Sequence, residues 1–212
     1  MLYFLPKAVL AATIVVAVMS LIDFETITLA RRYRAADFWA VVITITMTLL
    51  AGVEMGVLAG VGASVGLHLY HTSRPHFAVV GQVPESEHYR DVERHDVRTD
   101  PHILSMRIDE SLYFANAAYL EDMVFAQAAL REDLLHVILM CPAVNAIDLS
   151  ALEALEGVNT RLKENNVALH LSEVKGPVMD ALQRSDFLTH LSGEIFLSHH
   201  SAVTALRAKE TA

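Results

Sequence analysis

Apolar membrane-spanning helices followed by an acidic α/β domain are the architecture this sequence predicts. Three observations predict it. The 212 residues are 53% hydrophobic with a positive mean hydropathy, above the usual range for a soluble domain. Charge is divided unevenly: residues 1–70 hold 4 basic and 4 acidic side chains, whereas residues 71–212 hold 12 basic and 21 acidic, the whole of the −9 net charge. Beyond residue 77, short apolar runs alternate with segments of helical periodicity, as expected of a layered α/β domain.

The first apolar segment is uncharged from Ala8 to Ile22. Extended back to Leu2 it reaches about 21 residues, enough for a hydrocarbon core of about 30 Å. A signal peptide would need a more basic start and a small-residue cleavage site, and neither is present. From Phe38 to Tyr70 the only charge is Glu54. One helix of that length would be about 50 Å long, so the stretch predicts two helices of about 15–16 residues turning at Ala51–Glu54. Gly52, Gly56 and Gly60 recur at every fourth position, and Gly62 and Gly66 repeat the interval, which predicts close helix packing. Such short spans suit surroundings made of other protein, as in interrupted transporter helices. Arg31, Arg32 and Arg34 put the first loop on the cytoplasmic side, and therefore the acidic domain too. Glu54 is a candidate intramembrane acid, although its place at the turn, near water, is the preferred reading.

Further along, "HTSRPHF" (71–77) is polar and reads as a linker, and "HFAVVGQVP" as a first strand ended by Pro84. The charged 86–101 stretch predicts loop with a short strand. "HILSMRIDESLYF" predicts a strand pair or one bent strand, and "NAAYLEDMVFAQAALRE" a helix. "LLHVILMC" predicts a central strand buried on both faces. Leu152, Leu155, Val158 and Leu162 predict a helix from about Ala151 to Lys163, ending near Asn165. "VALHLSEV" predicts a strand, "GPVMDALQRSDFLTHL" one helix with Pro177 in its first turn, "EIFLS" a short strand and "HSAVTALRAKE" a last helix.

The junction "NAIDLSALEAL" carries the candidate functional residues Asp148, Ser150 and Glu153. Ser150 and Glu153 match the S-x-x-E capping box, which predicts that Ser150 caps the helix and Glu153 reaches back. Little else carries chemistry. An acidic domain is a poor nucleic-acid binder. The lone Cys141 cannot form an internal disulfide. His199–His200, His88, His95 and His102 lack metal-ligand spacing and are expected at a solvated surface. No glycine-rich phosphate loop and no nucleophile set are recognisable, so no catalytic residue, metal or cofactor is expected, and the chain does not read as an enzyme.

A strand, then "AIDLSALEAL", then a helix resembles the signature turn of STAS domains, named for sulfate transporters and anti-sigma factor antagonists. "LPKAVLAA", "GVEMGVLAGV", "SRPHFAVVGQVPESEHYRDV" and "LSMRIDESLYFANAAYLED" resemble, in order, the last membrane helices, the linker and the start of the STAS domain of the SulP sulfate permease family. STAS turns often read Asp-Ser-Ser or Asp-Thr-Ser, whereas Leu149 fills the middle here. The resemblance implies the C-terminal end of a secondary active, inverted-repeat transporter: membrane helices at 1–72, a linker at 73–78 and a cytoplasmic STAS domain at 79–212. It implies an integral, multi-pass protein of the inner or plasma membrane, surrounded by lipid, that moves a small anion, sulfate or bicarbonate. The anion site is expected on preceding helices, outside this chain. It also implies a homodimer or a protein partner for the STAS domain, and phosphorylation of Ser150 as in anti-sigma antagonists. The alternative is a membrane-anchored STAS regulatory module that binds partner proteins.

Overall fold

A computed structural model describes residues 7–19, 28, 31–32 and 35–210 and divides the chain into two compact units, Met1–Leu69 and Tyr70–Ala212. The ends of the first predicted span (Leu2–Pro6 and Ser20–Ile22) and Arg34 of the predicted basic loop lie outside the described residues.

The first unit is helical. Its described elements are α1 (Lys7–Met19), α2 (Ala35–Ala51) and α3 (Val53–Thr72). The predicted turn falls at Gly52, whose φ of +92° is a conformation that favours glycine. The helices are longer than expected, 17 and 20 residues. Among the described residues, Val53–Thr72 is the one helix long and apolar enough to cross a membrane, and Phe38–Ala51 is a shorter apolar helix. The predicted glycine packing is half realised within this unit. A Cβ on Gly56 would overlap the Thr48 Cα at 2.8 Å, and one on Gly60 would press on the Thr44 Cβ at 3.2 Å. Both threonine hydroxyls donate to their own helix, Thr44 to Ala40 O (2.8 Å) and Thr48 to Thr44 O (2.7 Å), and these satisfied oxygens are the atoms nearest to where a glycine Cβ would stand. A Cβ on Gly62 or Gly66 would meet no atom within 4 Å.

The second unit is a six-stranded mixed sheet in the order β2-β1-β3-β4-β5-β6. Strands β1 (Phe77–Gln82), β2 (Tyr89–Asp91) and β3 (Ile103–Ile108) pair antiparallel, while β3, β4 (His136–Met140), β5 (Ala168–Ser172) and β6 (Ile195–Phe196) run parallel. The crossovers carry α4 (Ala117–Ala128), α5 (Leu149–Glu164), α6 (Gly176–Gln183) and α7 (Phe187–His190), and α8 (His199–Glu210) ends the chain. The period-2 pattern divides the core between the two faces. Leu104, Met106, Val137, Leu139, Leu169 and Leu171 belong to the larger cluster with α4–α7. Ile103 and Ile138 join Ala78, Val80 and Tyr89 beneath Ala202, Val203 and Leu206 of α8. Strand β4 is thus buried on both faces, as its continuous apolar run requires.

Three expectations are corrected. Residues 103–112 form one strand followed by a loop, not a strand pair or a bent strand. The helix expected across 176–191 breaks at 184–186, because Ser185 offers the backbone an alternative: its hydroxyl donates to Leu182 O (2.7 Å) and accepts from Phe187 N (3.3 Å). The polar stretch 71–77 shortens as a linker at both ends, since α3 runs through Thr72 and β1 begins at Phe77, and of the 73–78 linker only the far end moves.

Candidate functional site

The Asp148 turn lies where β4 hands over to α5, beside the ends of the parallel strands. Two loops are stitched together there. Leu112 N donates to Ala146 O (3.1 Å), Asp148 N donates to Leu112 O (3.2 Å), and Leu112 bridges Ile147 in parallel. Asn116, fully buried, fixes the first loop. Its side-chain oxygen accepts from Tyr113 N (2.9 Å) and its amide donates to Ser111 O (2.9 Å). The Ser111 hydroxyl accepts from Asn145 N (3.2 Å), and Lys175 Nζ donates to the Asn145 side chain (2.7 Å).

Asp148 joins these pieces with one carboxylate. Oδ1 accepts from Ala151 N at 2.9 Å and Oδ2 from Phe114 N at 2.8 Å. Asp148, in extended geometry, is therefore the N-cap, which corrects the expected capping box. Ser150 is the second residue of the helix, exposed, with no side-chain hydrogen bond among the described residues; Glu153 is likewise exposed and does not reach back. Asp and Ser are equally good caps in sequence. Asp148 prevails because only a carboxylate at that position serves the helix and the neighbouring loop together. Phe114, whose amide it binds, and Leu149, the next residue, are 64% and 69% exposed. The turn thus carries a free hydroxyl and two exposed apolar side chains, which suits recognition and forms no set for bond-making chemistry. Glu54 stands in the first turn of α3, just past Gly52 and exposed, where its charge favours the positive helix end.

A second polar group was not anticipated. His199 was expected on a solvated surface, yet it is 1% exposed. Its ring nitrogens pair with Ser172 Oγ and Ser105 Oγ, each at 2.9 Å, and the Tyr89 ring meets it edge-on at 4.4 Å. Close by, His170 Nδ1 accepts from Glu194 N (2.9 Å), so the neutral ring carries its proton on Nε2 and donates to His136 Nδ1 at 3.2 Å. A second proton on His170 would set N–H against N–H. Burial, followed by His136, lowers the His170 pKa from 6.5 to about 4; burial, followed by His200, lowers that of His199 to about 4. The sequence did hold a signal: Ser105, His170 and Ser172 occupy the alternate strand positions that face α8. Burial, with a smaller push from Glu173, raises the Cys141 thiol to about 12 and leaves it inert. Among the described residues no three His, Cys, Asp or Glu side chains gather as a metal site.

Known proteins match this architecture. Residues 94–202 match the STAS domain family. "Probable sulfate transporter 4.2" of Arabidopsis thaliana is 33% identical over 215 residues, covering 96% of this chain and 32% of the relative. "High affinity sulfate transporter 1" of Stylosanthes hamata is 31% identical over 219 residues, covering 98% and 33%. The chain therefore spans about a third of the length of the curated relatives it matches. Among solved structures, murine solute carrier 26 family member A9, an anion transporter caught inward-facing, superposes with a TM-score of 0.83 at 22% identity over 96% of this chain and 34% of that one. A second SLC26A9 structure gives 0.85 at 23% identity over 98% and 36%. At that identity the likeness establishes the fold. The chain carries a STAS domain and belongs to the SulP family.

Proposed function

We propose that the chain is the C-terminal part of a secondary active anion transporter, with sulfate as the anion, and that its STAS domain tunes transport or assembly. Residues 1–72 are read as membrane helices, and the cytoplasmic domain, expected from residue 79, is read as beginning with β1 at Phe77 after a shortened linker. The observation that carries this reading is the match to a sulfate transporter over 96% of the chain, which takes in both the apolar helices and the α/β domain. The hairpin of α2 and α3 supports it: Gly56 and Gly60 are consumed by α2, while Gly62 and Gly66 keep open faces suited to further helices. In this reading the protein is a multi-pass inner- or plasma-membrane protein, and the anion site belongs to helices outside these residues.

The test is radiolabelled sulfate uptake into proteoliposomes. Residues 1–212 alone are expected to give no saturable uptake, and the same residues joined to a matching N-terminal membrane part are expected to give it. Saturable uptake by residues 1–212 alone overturns the placement of the site. A second reading, a membrane-anchored regulatory module, draws on the exposed trio Phe114, Leu149 and Ser150 around the Asp148 cap. It predicts a captured protein partner that is lost with Leu149→Asp. A homodimer through the same surface would appear as a doubled mass.

A further inference from the structure

The second unit is acidic, yet one cavity in it is lined in the opposite sense. It has a volume of about 410 Å³, and Arg90, Arg94, Arg107, His76 and His95 line it against only two carboxylates, Asp91 and Asp109. Asp109 is fully engaged, accepting from Arg107 Nε and Nη2 (2.5 and 2.9 Å) and pairing with His76 Nδ1 (2.8 Å). Asp91 is buried; its Oδ1 accepts from Glu93 N (2.8 Å), and its Oδ2 stands 3.7 Å from Arg94 Nε. That leaves Arg94 loosely paired and 73% exposed. Arg90 is exposed, and its one side-chain hydrogen bond goes to Tyr89 O (3.3 Å), with no carboxylate partner among the described residues. The cavity thus holds more guanidinium than its own acids neutralise. Arginine forks match tetrahedral oxyanions, and a guanidinium without a counter-ion favours a phosphate.

Its position in the chain narrows the source. His76 lines the cavity four residues beyond Thr72, the end of α3. Four residues span at most about 14 Å, so the cavity stays within reach of that helix end whatever the domain's orientation. Arginines that come within a Debye length of a bilayer, roughly 8–10 Å, experience its negative surface potential, and so short a tether permits that approach. We propose that this cavity receives the phosphate of an anionic lipid headgroup where the chain leaves the membrane. The proposal rests on the reading of α3 as membrane-spanning.

The experiment places residues 1–212 in lipid nanodiscs of phosphatidylcholine, or of phosphatidylcholine with phosphatidylglycerol, and follows hydrogen exchange across Tyr89–Asp96. Exchange there is expected to slow about tenfold in the anionic discs, with β3–β5 unchanged. Arg90→Gln with Arg94→Gln should abolish the difference, and Arg90→Lys with Arg94→Lys should keep part of it. Both arginines are exposed, so the unchanged exchange of β3–β5 verifies folding in each variant. Inorganic phosphate is added to the phosphatidylcholine discs as a separate arm. Equal protection there identifies free phosphate as the ligand and overturns the lipid assignment. Protection in neither arm, from protein that co-elutes with discs, overturns the proposal and leaves the membrane reading standing. Failure to co-elute with discs overturns the membrane reading and the proposal with it.

Discussion

The two units treat apolar side chains in opposite ways. In the helical unit Leu49 and Leu50 are each 80% exposed and Val53 is 70% exposed. In the α/β unit Leu104, Leu139 and Leu169 are 0% exposed. Both are rich in leucine and valine, so composition alone does not make a core. The α/β unit closes its own core because strand alternation directs side chains to two faces, each of which a helix layer covers. The helical unit satisfies its backbone within its helices and leaves its apolar side chains outward, which suits lipid or further helices and not water. The lesson is that hydrophobicity identifies what a segment avoids, and periodicity identifies what covers it.

Core substitutions give the sharpest break between the units. Leu139→Ala should lower the unfolding free energy of the α/β unit by about 2–5 kcal/mol, because it removes a fully buried side chain from close packing. Leu50→Ala should leave that transition where it was. Urea titration of detergent-solubilised chain, followed by circular dichroism, measures both. Equal effects of the two substitutions would mean that the units do not differ as described.

Acid should separate the units next. His170 and His199 have folded pKa values near 4 against an ordinary 6.5. Their cations are disfavoured in the fold, so the unfolded chain takes up protons first. The stability is present in full above pH 6.5 and is lost as pH falls from 6.5 towards 4. Each histidine contributes on the order of 3 kcal/mol at most. Urea midpoints measured from pH 7.5 to 4.5 should fall steeply, and His199→Gln should flatten the slope. A His199→Gln slope equal to that of the natural chain would contradict the buried network.

The smallest effects concern the turn. Asp148→Ala removes an N-cap and the bond to Phe114 N, and should cost about 2 kcal/mol. Ser150→Ala should change stability by less than about 0.5 kcal/mol, as at an ordinary surface position. If denaturation shows the reverse order, Ser150 is the cap after all.

Much of this was legible in the residues themselves. The turn at Gly52 follows from a length too great for one crossing, and β4 from its unbroken apolar run. The helix over 149–164 follows from the three-and-four spacing of its leucines and valine. These are local signals, written in spacing and in the allowed conformations of single residues. The resemblance to SulP proteins was legible for a related reason: an ordered series of short motifs survives where overall identity is low.

Other features waited on contacts between residues distant in the chain. Asp148 and Ser150 have the same local propensity for capping, and the choice between them rests on Phe114 N, 34 residues away. His199 sits in a polar stretch, Ser198 to Ser201, that gives no local sign of burial; its burial depends on Ser105, 94 residues back, and on Ser172 in another strand. The break between α6 and α7 differs from these, because the bonds of Ser185 to Leu182 and Phe187 are local, and a serine at that place is compatible with either a helix or a turn. The sequence by itself determined which segments are helix or strand and which seek an apolar environment, since dihedral preference and hydrophobic period act over a few residues. Only the tertiary structure decided which of several capable polar groups is used, because a hydrogen bond depends on the position of its partner, and folding brings that partner from elsewhere in the chain.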